Sequence, residues 1–525
     1  MKKIFIKGVL LASIFTGITV LNSCQDALDI VQPGEMNDDV LFTSVTTLEG
    51  YLNGAVYGTI DPADAIYLGA VLTDEVKVGS QNGGQEQPVY RHFFDESNAY
   101  VRSIWLNYYT TINRVNRLLE GAKKVTPTTD ADKAKYNTIL AQARFVRAFT
   151  YLELEKYFAP DMKDSNGLGV MITPEVPKSA DQLSRSTNKE VYAVIESDLA
   201  YAATILGKGT DQYKADINAI NALRARLYIY NGNYSEAKKY AEKVVNESGL
   251  TLTQATPIIP TGSTAEIGSA TWNTAFYATS NSFNPYRKIW DDSSRGEVIF
   301  SLGRQASGIG VSIGSRFNTN QSNATGSPMW FWGRNLFNIF YNTDGDIRKY
   351  AYLDPTSKID PNYLTSTSPR TTDVLVVDKY PGKTSAATRN DLKVFRLSEM
   401  YFILAEVAIE ENKLADASSL IQKVRVARNY KGTATTPTYT SVQMAYADVL
   451  KERRVELAIE GHRYIDLKRL AVKAGVKMDR NVRDAVAPTE TVQNLENGSY
   501  KYTFPIPLSE FAGNKNMKQN PGYGE

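Results

Sequence analysis

Apolar residues recur at helical spacing over the first third of the chain. In SIWLNYYTTINRVNRLLEGA, Trp105, Tyr109, Ile112, Asn116 and Leu119 fall on one face, and Gly121 closes the segment. After the polar linker TPTTDADKAK, the stretch TILAQARFVRAFTYLELEKYF carries Phe145, Phe149 and Leu152 as a second stripe. These predict an antiparallel helix pair within a mainly helical region, residues 37–158. The design returns in INALRARLYIYNGNYSEAKKYAEKVV (220–245), with Ala222, Leu223, Leu227 and Tyr230, a tight turn, then Ala237, Ala241 and Val244. Gly232, Tyr234 and Ala237 follow the small/aromatic/small logic of a tetratricopeptide repeat. RLSEMYFILAEVAIEENKLADASSLIQKVRVARN (396–429) repeats it, with a turn near Glu411 to Lys413. Long insertions separate the pairs, so they read as a scaffold rather than a contiguous solenoid.

Helical periodicity stops between residues 250 and 390, where Gly, Ser, Asn and Thr are frequent. GEVIFSL (296–302) and DVLVVDKY (373–380) read as short strands. Four of the five tryptophans lie here: Trp272, Trp290, Trp330 and Trp332. Trp330 and Trp332 fall within SPMWFWGRN (327–335), at the end of a polar loop. An extended backbone puts both indoles on one face and Phe331 on the other.

Such a segment either anchors its loop to the core or is offered outward. A sugar presents apolar C–H faces ringed by hydroxyls, so its receptor needs a flat aromatic platform beside polar groups that set orientation. Trp330, Phe331 and Trp332 with Arg334 and Asn335 supply both, and are the first candidates for ligand contact. Trp272 and Tyr286 in the preceding loop, and Tyr90-Arg91 in GSQNGGQEQPVYRHFF, are the second. Trp105, on the helix stripe, and Trp290, just ahead of the strand at 297–301, are assigned to the core. Peptides use the same aromatics with main-chain hydrogen bonds, so the stretch does not separate glycan from peptide.

Composition is that of a globular protein, at 42% hydrophobic and 22% charged over 525 residues. The N-terminus changes the picture. MKKIFIKGVLLASIFTGITVLNSC has three lysines and a short apolar run, which is a signal peptide over residues 1–23. Leu21-Asn22-Ser23-Cys24 resembles a bacterial lipobox, which makes Cys24, the single cysteine, an acylation point. Loss of Lys2, Lys3 and Lys7 takes the formal charge from +2 to −1, which argues against nucleic acid as a partner. No other segment approaches ~18 unbroken apolar residues, so the expected attachment is through lipid alone.

The inventory narrows the chemistry. Two histidines and one cysteine exclude a histidine-rich metal site and a Cys-His nucleophile. No GxSxG elbow accompanies a Ser-His-Asp set. Glycoside hydrolysis needs only two carboxylates, and Asp74-Glu75 and Asp291-Asp292 are candidates by adjacency. Acidic loop pairs also offer the oxygens a structural calcium takes, but no EF-hand spacing supports one, and no cofactor is expected. In ERRVELAIEGHR, Glu452, Arg453, Glu456, Glu460 and His462, with Asp466 beyond, sit at spacings that give ion pairs along helix faces, with His462 a hydrogen-bonded packing residue.

The lipobox with CQDALDI, the segments WLNYYTTINRVNRLL and ARFVRAFTYLELEKYF, KERRVELAIEGHRYIDLKRL (451–470), and the tail PIPLSE…NKNMKQNPGY ending at Tyr523 occur in order. Together they resemble the SusD-like (RagB/SusD) outer-membrane lipoproteins of the Bacteroidetes. The acidic residues just past Cys24 are similar to a surface-export signal of lipoproteins there. The resemblance implies a mainly α fold: four tetratricopeptide-like helix pairs supporting an irregular loop-rich lobe with short strands. It implies one domain over 24–525, with scaffold at 37–250 and 391–470, a ligand-binding lobe at 250–390 and a C-terminal segment at 471–525. It also implies a lipid-anchored protein facing the cell exterior that binds glycan oligomers, or peptides, and acts as a lid on a SusC-like TonB-dependent transporter. Such proteins are not enzymes, and their ligand contacts vary too widely to be carried over by motif. A tetratricopeptide adaptor that binds only proteins and a glycoside hydrolase are the alternatives from other classes; the long aromatic insertions argue against the adaptor.

Overall fold

The computed structural model describes residues 41–524 save 178–180, 309, 318–327, 385 and 487–489. The leader and Cys24 lie outside the described residues.

Side-chain caps set where the long helices begin. Asn98 accepts from the Tyr100 and Val101 N–H groups to open α2 (Ala99–Ala122), and Thr129 accepts from Asp132 N–H to open α3 (Asp130–Phe158). α1 (Ala63–Leu72) precedes them. Thr187 and Glu190 form a capping box at α4 (Asn188–Ile205), and Asp216 caps α5 (Ile217–Asn231). Gly232, at φ +83, ends α5 in the left-handed conformation; Asn233 then caps α6 (Tyr234–Glu247). The later pairs are α7 (Leu397–Glu410) with α8 (Leu414–Ala427), and α9 (Val442–Glu456) with α10 (Arg463–Ala474). The fold is mainly helical, with 49% of residues in helix, and α2–α3, α5–α6, α7–α8 and α9–α10 pack as pairs.

Two stripes differ from expectation. On α2 the buried line runs through Trp105, Tyr108, Ile112, Val115 and Leu118, whereas Tyr109 and Leu119 are only partly covered. On α3 almost every residue from Ala141 to Phe158 is buried, because α2 and α4 pack against it from different sides.

The strands are few. Val76–Val78 (β1) pairs antiparallel with Trp330–Trp332 (β3), and Val298–Leu302 (β2) with Leu392–Arg396 (β4). The expected strand at 373–380 is instead a buried extended run that makes only isolated bridges, Val374 to Lys358 and Val377 to Leu353. Its apolar residues are needed in the core, but its backbone partners are scattered, with Trp332 of β3 donating to the Leu375 carbonyl and Asp354 and Lys358 pairing elsewhere along it.

The ERRVEL segment locks the parts together. Glu456 on α9 receives Arg396 at 2.7 Å, Arg428 at 2.8 Å and Arg348 at 3.2 Å. Burial pushes its carboxyl up, but Arg428 and Arg396 outweigh burial and hold it well below the usual range. Arg453 grips Asp466 through two bonds at 2.7 and 2.8 Å, joining α9 to α10. His462 is buried as a packing residue, as expected, although its Nδ1 has no hydrogen-bond partner among the described residues.

Candidate ligand-binding face

The β1–β3 register places Val76 opposite Trp332, Lys77 opposite Phe331 and Val78 opposite Trp330. The alternation holds, with both indoles on one face and Phe331 on the other. That indole face is interior. Trp330 packs its ring 5.5 Å from Tyr90 and donates its indole N–H to the Tyr67 hydroxyl at 2.8 Å. Trp332 stacks on Tyr352 at 5.9 Å and donates to the Tyr352 carbonyl at 2.8 Å. Trp330, Phe331 and Trp332 have at most 1% of their surface exposed, so they form a foundation rather than the expected stacking platform. An indole N–H must keep a partner when buried, and both find one inside.

The same correction applies to three further candidates. Trp272 is buried against Phe276 and donates to the Ile258 carbonyl. Tyr286 is buried with its hydroxyl 2.7 Å from that of Tyr352. Tyr90 is buried, and its hydroxyl donates to the Asp484 carbonyl. Trp105 and Trp290 lie in the core, as assigned.

The polar candidates reach the surface above this foundation. Arg334 opens the short helix Arg334–Asn342 and borders a recess of about 320 Å³ with Asn338, Asn362, Leu364 and Asn481. Leu364 stands at the lip, 65% exposed. Arg334 is aimed by its neighbours: it bonds Asp373 at 2.6 Å and the Asn338 amide oxygen at 3.0 Å, and lies 4.9 Å over the Tyr363 ring. Asp373 is also held by Lys77, whose ammonium burial drives below its usual pKa. Tyr363 donates to Asp484, whose carboxyl burial pushes up. Asn335 donates to Asp479 at 2.8 Å and accepts from Asn481. Arg91 pairs with Glu490 beside a separate recess of about 260 Å³.

A second polar group stands on the Trp330 side of the strand. Tyr67 and Tyr100 donate to the two oxygens of Glu86 at 2.5 and 2.6 Å. Arg316 donates to the Tyr100 hydroxyl at 2.7 Å and lies 4.3 Å over the Tyr67 ring. Glu86 sits at φ +53, a left-handed position in the loop after β1. Asn338, Asn362, Asn481, Tyr363, Glu86, Tyr100 and Arg316 went unnoticed in the sequence. They come from stretches far apart in sequence, Tyr100 and Asn338 from helices and the others from loops and short turns, and the β1–β3 pairing, across more than 250 positions, helps bring them together.

A larger cleft, about 670 Å³, lies elsewhere, between α2 and the C-terminal segment, lined by Leu106, Tyr109, Asn113, Arg114 and Glu510 among others. No candidate from the sequence borders it. The adjacent carboxylates are engaged. Asp74 is clamped by Arg463 at 2.7 Å and Arg454 at 3.2 Å. Glu75 accepts from Ile459 N–H, with burial raising its carboxyl to about 7. Asp292 pairs with Lys393 and Lys383, while Asp291 accepts from Ser293. His92 is buried, and burial lowers it to about 3. Among the described residues no group of three or more His, Cys, Asp or Glu is placed to hold a metal ion, and no helix is long and apolar enough to cross a membrane.

A helix-pair scaffold holds these polar groups over a packed floor, and known proteins share the fold. A family model described as "SusD family" matches residues 306–523, and one described as "Starch-binding associating with outer membrane" matches 28–229. SusD-like protein P2 of Formosa agariphila is 23% identical over 96% of this chain and 98% of its own. Among solved structures, a SusD superfamily protein from Bacteroides thetaiotaomicron superposes with TM-score 0.71 at 21% identity, covering 91% of this chain and all of that one. The surface glycan-binding protein A from Bacteroides uniformis superposes with TM-score 0.66 at 19% identity, covering 90% and 99%. The chain belongs to the SusD-like family.

Proposed function

We propose that this protein captures glycan oligomers at the loop face and passes them to a SusC-like TonB-dependent transporter. On this reading it is a binding protein, not an enzyme, held on the outer membrane by acyl chains at Cys24 and facing the cell exterior. The observation that carries the reading is the recess beside Arg334. One guanidinium and the amides of Asn338, Asn362 and Asn481 ring a space of about 320 Å³, with Leu364 at its lip. Amides and guanidinium match hydroxyls in both donor and acceptor sense, and the space suits one or two sugar rings. The family descriptions and the glycan-binding neighbour support the same class of ligand. Arg316 and Tyr100, on the far side of the β1–β3 pair, extend the face for a longer oligomer.

The test is a calorimetric titration of soluble protein from Gln25 onward with starch, fructan, xylan, mannan, pectin and chitin oligomers and a peptide digest. Asn338→Ala/Asn362→Ala and Arg316→Ala are titrated alongside. One glycan class that binds the parent and is lost or weakened in the variants supports the reading. Binding of peptides alone replaces glycan by peptide at this face. Glycan binding unchanged in both variants moves the site elsewhere.

A further inference from the structure

A pocket of about 330 Å³ lies within the scaffold, remote in sequence from the β1–β3 strands. Lys156 of α3, Tyr230 of α5, Lys468 and Arg469 of α10, and Ser499 and Tyr502 of the C-terminal segment line it. Its polar groups are donors short of acceptors. The Tyr230 and Tyr502 hydroxyls are buried, each side chain only 2% exposed, and neither has a partner among the described residues. The Arg469 Nε–H has none either, although its other nitrogens bond Glu406 and Asp466. Lys468 offers three N–H bonds and finds one acceptor, the Ala159 carbonyl at 2.7 Å.

Other charges nearby are spoken for. Lys156 is neutralised by Glu153 at 2.8 Å. Asp161, at the rim with Lys163, is exposed and accepts from the Lys163 backbone N–H. A buried donor left without an acceptor is destabilising, so a cluster of them points to a missing acceptor.

We propose that this pocket is an oxyanion site. It takes the sulfate, phosphate or carboxylate of a free anion or of a monosaccharide-sized group. Lys468 supplies the charge, the two tyrosine hydroxyls and Arg469 Nε supply directed hydrogen bonds, and the Tyr230 ring, held 4.6 Å from the Arg469 guanidinium, forms one wall. The site stands independently of the loop-face reading and involves none of its residues. Burial pushes the Lys468 ammonium down to about 7 against the pull of Asp161 and Glu155, and a bound anion returns the charge.

The test titrates the protein from Gln25 onward with sodium sulfate, sodium phosphate and glucuronate, with glucose as the neutral control. Tyr230→Phe/Tyr502→Phe keeps both rings and removes only unpartnered hydroxyls, so its fold is retained; Lys468→Met removes the charge. Oxyanion binding without glucose binding, weakened about tenfold or more in both variants, is the expected result. Inorganic anions binding as tightly as glucuronate identify a free anion as the ligand, and tighter glucuronate identifies a sugar-borne one. Absence of any oxyanion binding at millimolar concentration, or affinity unchanged in the double phenylalanine variant, overturns the proposal.

Discussion

Trp330 donates its indole N–H to the hydroxyl of Tyr67 across 2.8 Å, and Tyr67 donates its own O–H to Glu86 at 2.5 Å. A buried strand is thereby tied to a surface loop. Tyr100 holds the other oxygen of Glu86, and Arg316 caps Tyr100. The buried tryptophan fixes the position of polar groups nearer the surface.

Trp330→Ala is therefore a stability variant. It should lose about 3–5 kcal/mol by chemical denaturation, the usual range for emptying a buried aromatic site. Tyr67→Phe should cost less, about 1–3 kcal/mol, because it leaves the indole N–H and Glu86 each short of a partner. A Trp330→Ala protein of parental stability that no longer binds ligand would return this residue to the binding surface.

Glu75 gives a pH signature. Burial raises its folded pKa to about 7, above the 4.5 of an exposed glutamate, so the folded state prefers the protonated form. Its contribution is complete below pH 4.5 and is lost as pH rises through 7. Glu75→Gln keeps an acceptor for Ile459 N–H. It should flatten the loss of stability between pH 5 and 8 by on the order of 3 kcal/mol relative to the parent. Parallel stability curves for the two proteins contradict this.

Glu456 gives the opposite kind of variant. Glu456→Gln leaves Arg396, Arg428 and Arg348 in the interior with one fewer charge, and should cost about 3–5 kcal/mol. A loss under 1 kcal/mol in a denaturant titration would mean that Glu297, Glu452 and Glu460 suffice to neutralise them.

The helix pairs were legible because each is written in one local stretch. The spacing of Ala222, Leu223, Leu227 and Tyr230 and the left-handed Gly232 need no distant partner to be read. The ordered set of motifs from Cys24 to Tyr523 made the family legible for the same reason, since each is a local stretch. The site was not. Alternation in WFW says that Trp330 and Trp332 share a face, but only the pairing with Val76 to Val78 decides that this face is inward. Likewise DVLVVDKY is apolar enough for a strand, yet LKVFR pairs with β2 and leaves it with isolated bridges. Arg334 and Asn335, beside the tryptophans in sequence, come to the surface because β3 ends at Trp332 and a helix begins.

Hydrogen exchange, with and without the glycan selected by the titration, tests the central claim most directly. The account predicts slowed exchange in 334–338, 360–366 and 479–484, around the Arg334 recess, and little change along α2. Protection confined to the α2 cleft near Tyr109 and Arg114, with the recess unaffected, would contradict it.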